Sequence, residues 1–233
     1  MNIALILSGG TGTRMGLDMP KQYIEVHNRT IISYCIELLS GHSQIDAVQI
    51  VADTQWHNLI KEALNMYDLQ NKFRGFSLPG ANRQLSIFNG LNDIATYAAD
   101  EDYVLIHDAA RPMLTSAMIS ECFKAVKGHD GVLPVLPMKD TVYFSEDGTR
   151  VSELLDRSRI YAGQAPEVFV LGKYIEANKK LLPDKIYNIN GSTEPAIMAG
   201  MDIEMIPGDE ANFKITTMSD LERFRAYIEQ NGE

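Results

Sequence analysis

Ile3-Ala-Leu-Ile-Leu7 is an unbroken apolar run, and Gly9, Gly10, Gly12 and Gly16 follow it directly. Without polar alternation, such a run reads as a strand covered on both faces, the condition of a parallel strand in an α/β sheet. The glycines carry no Cβ, so backbone N–H groups can converge on one point and form an anion nest. Arg14 and Lys21 are the fixed cations nearby, placed where a polyphosphate would lie. The chain begins as a strand feeding a nucleotide-phosphate loop.

Spacing narrows the nucleotide. The string Gly-x-x-x-x-Gly-Lys-Ser/Thr does not occur, which excludes a P-loop. A dinucleotide fingerprint needs Gly-x-Gly-x-x-Gly, and here Gly10-Thr-Gly12 is followed by Gly16, one residue late. That fingerprint also works with backbone and helix dipole alone. Two cations suit a triphosphate whose charge shifts during reaction. A tight turn with incidental basic residues is the plainer alternative.

A chain of 233 residues suits one large α/β domain spanning 1–233. Its net charge of −10 argues against nucleic acid or an acidic membrane as partner, so positive charge must be concentrated locally to bind an anion. Cys35 and Cys122 lie among apolar neighbours without metal or redox spacing, as buried thiols of a reducing compartment would. No basic-apolar leader precedes the first strand and no apolar run approaches ~18 residues, so the expectation is a cytoplasmic protein.

Strand and helix patterns then alternate. A short strand is expected over Tyr23–Val26, a helix over Thr30–Leu39 and a strand over Ala47–Ala52. A helix capped by Thr54 and running through Leu64 comes next. Phe73–Leu78 reads as a strand, Asn82–Ala98 as a long helix and Tyr103–Ile106 as a strand. The fold class is α/β, a Rossmann-like, mostly parallel sheet flanked by helices. From Val132 the pattern changes to two strand-like stretches, Val132–Met138 and Thr141–Phe144, with a turn at Glu146-Asp-Gly148 and a return over Val151–Leu155. This predicts a protruding β-arm, roughly 137–160, that packs on a second subunit in a homodimer. Leu171–Leu182 and Ser219–Ile228 close the chain as helices.

Chemistry-bearing residues gather at the strand ends. Gly80-Ala-Asn-Arg83-Gln-Leu-Ser86 opens the long helix, where a free helix N-terminus and Arg83 would face the same cleft as the first loop; ordinary capping by Asn82 is the alternative. His107-Asp108-Ala-Ala-Arg111-Pro112 ends the fourth strand. A carboxylate there is well placed for Mg²⁺, which takes one or two carboxylates plus phosphate oxygens, although a single Asp at a strand end is more often a turn residue.

Leu7-Ser8-Gly-Gly-Thr-Gly-Thr-Arg14-Met-Gly16, with Pro20-Lys21-Gln22-Tyr23, resembles the signature of sugar-phosphate nucleotidyltransferases. More narrowly, it is similar to the cytidylyltransferases acting on 2-C-methyl-D-erythritol 4-phosphate and ribitol 5-phosphate, over almost the whole chain. The resemblance implies that Ser8, Gly9, Gly10, Thr11, Gly12 and Thr13 line the nucleotide, with Arg14 and Lys21 on its phosphates. It implies that Gly80, Arg83 and Ser86 contact cytosine and ribose, and that Asp108 holds Mg²⁺ and ribose. Arg111, and Thr141 and Arg157 from the arm, fall on the acceptor side. Asn212-Phe-Lys214-Ile-Thr216 resembles the family's Asn-x-Lys-x-Thr, whose lysine approaches the reacting phosphates. Asp209 and Glu210 are candidates for a second metal carboxylate, while His107 reads as structural.

Two stretches depart from the family. Gln164-Ala-Pro-Glu167 stands where Thr-Pro-Gln is usual, and Asn190-Gly-Ser-Thr-Glu-Pro195 replaces a Thr-Asp-Glu/Asp-Ala element, leaving Ser192 and Thr193 as donors. Ser192 is assigned to the acceptor. The expected partners are CTP and an alditol phosphate, first 2-C-methyl-D-erythritol 4-phosphate of the isoprenoid precursor pathway. Ribitol 5-phosphate or another polyol phosphate of surface-polysaccharide synthesis is the alternative. Other open readings are a nicotinamide-dependent oxidoreductase, a transferase using UTP, GTP or ATP, and a silent binding module.

Overall fold

The computed structural model of the chain describes residues 1–10 and 19–231. β1 (Asn2–Leu7) is followed, beyond the first loop, by a 3₁₀ turn at Lys21–Tyr23 and a two-residue ladder of β2 (Glu25–Val26) with β3 (Arg29–Thr30). The strand expected from Tyr23 is only its last two residues, because the Tyr23 N–H donates to the Pro20 carbonyl and closes the turn. α1 (Ile31–Gly41) and β4 (Ala47–Val51) lie where expected. Asp53, not Thr54, opens the next element: its carboxylate accepts the Gln55 N–H at 3.0 Å. A 3₁₀ turn at Thr54–Trp56 leads into α2 (His57–Tyr67).

β5 (Phe73–Ser77) leads to α3 (Arg83–Ile94), which Asn82 caps and which stops short of Ala98. β6 (Tyr103–Asp108) continues through His107 and Asp108, and α4 (Ser116–Ala125) follows. Next come β7 (Gly131–Pro137), the hairpin of β8 (Val142–Phe144) and β9 (Glu153–Leu155), β10 (Tyr161–Gly163) and β11 (Glu167–Val170). α5 (Leu171–Lys179), α6 (Glu194–Met198), β12 (Ile203–Pro207) and α7 (Met218–Asn231) complete the chain.

β5, β4, β1 and β6 are parallel neighbours, β11 joins β6 antiparallel, β7 joins β11 antiparallel, and β12 joins β7 parallel. β10 pairs with the far end of the β7 edge that β11 occupies. Every strand of the path except the β10/β11 segment therefore points the same way. The carboxyl ends of β1, β6 and β7 share one edge.

Alternation within the buried centre of β1, Ile3 to Ile6, assigns the two faces. Ala4 and Ile6 join the core with α1, α2 and α4, whereas Ile3 and Leu5 join the core with α3, α5 and α6. α7 packs through Leu221 and Phe224 on Ile31, Met113 and Ile215, which seats the 212–216 segment against the turn after β6. The β8–β9 hairpin is a two-stranded sheet of its own, leaving β7 at the edge where Asp108 lies. No helix among the described residues is long and apolar enough to cross a membrane.

Candidate active site

β1 and β6 lie in register with Leu7 opposite Asp108, so the glycine loop and the Asp108 carboxylate leave the sheet side by side. Ligands of open α/β sheets bind beyond such strand ends. Ser8 is buried, and its hydroxyl donates to Tyr23 Oη at 2.9 Å. Its carbonyl accepts from Tyr23 Oη at 2.9 Å and Gln22 Nε2 at 2.8 Å. The same Gln22 amide donates to the Gly10 carbonyl at 2.8 Å. Gln22 thus ties the loop's entrance to its exit and brings Lys21, its neighbour in the 3₁₀ turn, to this edge. Thr11, Gly12, Thr13, Arg14 and Gly16 lie outside the described residues.

The β5–α3 turn lies directly against this loop, since a Cβ on Gly9 would stand 2.7 Å from Pro79 Cβ. Within the turn, the Gly80 N–H donates to Ser86 Oγ at 3.0 Å, Ser86 Oγ donates to the Asn82 carbonyl at 2.8 Å, and Asn82 Oδ1 accepts the Leu85 N–H at 2.8 Å. Ser86, expected at the nucleotide, has its hydroxyl engaged in closing the turn. A Cβ on Gly80 would fall 2.3 Å from Leu85 Cβ and 2.9 Å from the Ser86 nitrogen. Helix backbone cannot yield to a rotamer change, so Gly80→Ala is expected to cost ~1–3 kcal/mol, measured by urea unfolding.

Asp108 is the electrostatic centre. Its Oδ1 accepts from Arg83 Nε at 3.3 Å and Nη2 at 3.2 Å, its Oδ2 accepts from Lys214 Nζ at 2.9 Å, and Arg111 Nε stands 3.6 Å away. Burial works to raise the carboxyl pKa, but Arg83, Lys214 and Arg111 together hold it well below the usual carboxylate range. Burial likewise opposes the charge on Arg83, yet Asp108 and Glu167 raise its pKa above the ordinary value. Arg111 turns inward: its Nη1 donates to the Asn212 carbonyl at 2.7 Å, and burial pulls its pKa down. The Ile215 N–H donates to the Ala110 carbonyl at 2.9 Å, so the strand-end turn and the Lys214 segment are one unit.

His107 is fully buried, and burial pushes its pKa down to about 4. Its neutral ring donates from Nε2 to the Arg111 carbonyl at 2.9 Å and holds the same turn. Cys35 and Cys122 are buried thiols raised to about 12 by desolvation.

Magnesium at Asp108 would find a single protein carboxylate among the described residues. Among the described residues no three His, Cys, Asp or Glu side chains gather to hold a metal. The Asp209 carboxylate accepts the Ala211 N–H at 2.8 Å, and Glu210 pairs with Lys139. One carboxylate fits an ion that takes its other ligands from phosphate and water, as Mg²⁺ commonly does.

Thr141 and Arg157 are exposed at the base of the hairpin, Arg157 Nη1 donating to the Lys139 carbonyl at 2.6 Å. Ser192, assigned to the acceptor, is 2% exposed, with its hydroxyl between Arg83 Nη1 and the Glu167 carboxylate. In the sequence, Glu167 stands out only as part of the departure from the family string. Its burial against Ser192 and Thr193 had no local signal, because the partners stand 25 and 26 positions away.

The family model for IspD, 2-C-methyl-D-erythritol 4-phosphate cytidylyltransferase, matches residues 2–230. A ribitol-5-phosphate cytidylyltransferase of Streptococcus agalactiae serotype III (strain NEM316) is 31% identical over 227 residues, 97% of this chain and 95% of that protein. A 2-C-methyl-D-erythritol 4-phosphate cytidylyltransferase of Syntrophotalea carbinolica is 33% identical over 232 residues, 98% of this chain and 97% of that one. Among solved structures, the 4-diphosphocytidyl-2C-methyl-D-erythritol synthase from Anaerococcus prevotii superimposes with a TM-score of 0.84 at 23% identity, covering 98% of this chain and 96% of its own. The Francisella tularensis cytidylyltransferase gives 0.80 at 24% identity, covering 97% and 98%. These two structural likenesses establish the fold.

Proposed function

We propose, from the premise that this chain belongs to the 2-C-methyl-D-erythritol 4-phosphate cytidylyltransferase (IspD) family, that it transfers CMP from CTP to a sugar-alcohol phosphate and releases pyrophosphate. The observation that carries this reading is the convergence of Arg83, Arg111 and Lys214 on Asp108, beside the glycine loop of β1. A phosphate oxygen of the acceptor forms a bond to the α-phosphorus of CTP, and the bond from that phosphorus to the β-phosphate oxygen breaks. The attacking oxygen is already an anion, so no side chain has to remove a proton.

This chain's part is to align the reactants and balance charge on an in-line phosphorus. Lys21 and Arg14 hold the triphosphate at the loop, and Lys214 moves from Asp108 Oδ2 to the reacting phosphates. Arg83 with its Gly80–Ser86 turn takes the cytidine end. Asp108 would hold Mg²⁺, which when bound offsets the charge of the departing pyrophosphate. Arg111, Thr141 and Arg157 form the acceptor side.

The acceptor we assign is 2-C-methyl-D-erythritol 4-phosphate, the substrate in the family's name. Ribitol 5-phosphate is the second reading, supported by relatives that bear that name. A pyrophosphate-release assay with CTP and each acceptor tests both. Release with one acceptor identifies it; no release with CTP and any alditol phosphate overturns the reading.

The hairpin is assigned to a homodimer interface. Tyr143 and Leu154 pair across β8 and β9, and both are more than half exposed. An isolated two-stranded sheet is marginal in water unless its apolar side chains find cover. Leu154→Lys is expected to shift the protein from dimer to monomer in sedimentation at micromolar concentration. A wild-type monomer under those conditions would refute the assignment.

A further inference from the structure

Glu167 is a buried acid to which the reaction above gives no task. It sits on β11 opposite Ile106, and is 7% exposed. The hydroxyls of Ser192 and Thr193 both donate to its carboxylate, Thr193 at 3.0 Å. Ser192 Oγ in turn accepts from Arg83 Nη1 at 2.9 Å. Arg83 is therefore gripped on two sides, by Asp108 through Nε and Nη2 and by Ser192 through Nη1.

A hydroxyl rotates, and it presents a lone pair to Arg83 steadily only if its proton has another acceptor. Glu167 is that acceptor. Keeping a carboxylate in such a place is costly: burial raises its pKa, while Arg83, Ser192 and Thr193 only partly oppose the rise. An apolar side chain of similar size would commonly cost less. The acid is therefore explained by what it orients rather than by stability.

We infer that Glu167 is a positioning residue for nucleotide recognition, fixing the direction of the Arg83 guanidinium through the Ser192 hydroxyl. Its effect on CTP rests on the reaction proposed above; its effect on Arg83 does not.

Side-chain ¹⁵N spectra of the ligand-free protein test the alignment. The Arg83 Nε–H resonance is expected to be sharp in the parent, and to broaden or exchange at least about tenfold faster in Glu167→Met and in Ser192→Ala. Calorimetry with CTP is expected to show about a tenfold higher Kd in each variant, the scale of one misdirected charged hydrogen bond. On an Arg83→Ala background neither substitution should weaken CTP binding further. Ser192→Ala carries the test alone if Glu167→Met does not fold.

An unchanged Arg83 resonance in the folded variants overturns the assignment, as does an added loss on the Arg83→Ala background. If the resonance changes as stated but the parent binds no CTP, the alignment stands and the cytidylyltransferase reading fails.

Discussion

Lys21→Ala is expected to fold as the parent does and to lose CTP turnover by about 10²–10³, the scale of removing one preorganised charge partner from a developing anion. The 3₁₀ turn that carries Lys21 is held by its neighbours: Gln22 on two carbonyls of the loop, and Tyr23 on Ser8 and stacked against Trp56 at 4.5 Å. Removing the lysine leaves those contacts in place. The loss should therefore appear in kcat, read as pyrophosphate release at saturating CTP, with the melting curve little altered. Full turnover by a folded Lys21→Ala protein would remove the lysine from the mechanism.

Asp108→Asn should strike both activity and stability. The amide matches the carboxylate in shape but leaves Arg83, Arg111 and Lys214 without the charge they surround. Stranding buried charge in this way commonly costs ~3–5 kcal/mol. Part of that cost is screened here, because Arg83 and Lys214 are about a third exposed. About 3 kcal/mol is the expected loss in urea unfolding at pH 7, with CTP turnover falling to background.

The pH dependence has a defined sign. Asp108 is held below its ordinary value of 3.8, so its contribution is present above that pH and is lost as the pH falls through the lower, folded value. Glu167 has the opposite sign: raised in the fold, it contributes stability in acid that is lost as the pH rises through its folded value. The Asn variant should therefore lose less stability than the parent on acidification below pH ~4. Parallel decline of the two proteins would show that Asp108 is not the group titrating.

Elements that announce themselves by local pattern were legible in the chain. The unbroken apolar run of β1 gave a doubly covered parallel strand, and Asn82 ahead of a periodic segment gave the start of α3. The start of the helical stretch before α2 differs from the expectation. Asp53 and Thr54 are both good capping residues, and only geometry tells that Asp53 bonds the Gln55 N–H and caps the 3₁₀ turn Thr54–Trp56, while α2 itself begins at His57 without a side-chain cap. β10, β11 and β12 had no such signature, being three to five residues long and stabilised by pairing with β7 and β6 rather than by their own periodicity. The site followed the same division. Motif residues such as Asp108, Arg83 and Lys214 could be named one at a time, but their meeting on one carboxylate is a long-range fact. The two departures from the family string, at Gln164–Glu167 and Ser192–Thr193, both point in sequence to the sugar-phosphate half of the site, with no sign that they touch each other. In the fold they are donor and acceptor of the same hydrogen bonds.

Gln22 bears on how the proposed anion site would be built. Carbonyl oxygens near a phosphate repel it, and a loop of glycines has as many of them as it has amides. The Ser8 and Gly10 oxygens are drawn toward one glutamine amide, and that of Ser8 also receives the Tyr23 hydroxyl, which uses both its lone pairs. Because a trans peptide points its N–H opposite to its C=O, the Gly9 amide is turned the other way by the same bond. If the triphosphate proposed above lies at this edge, its selectivity for negative charge would come partly from subtraction: a neutral side chain draws carbonyl oxygens away and so removes repulsion.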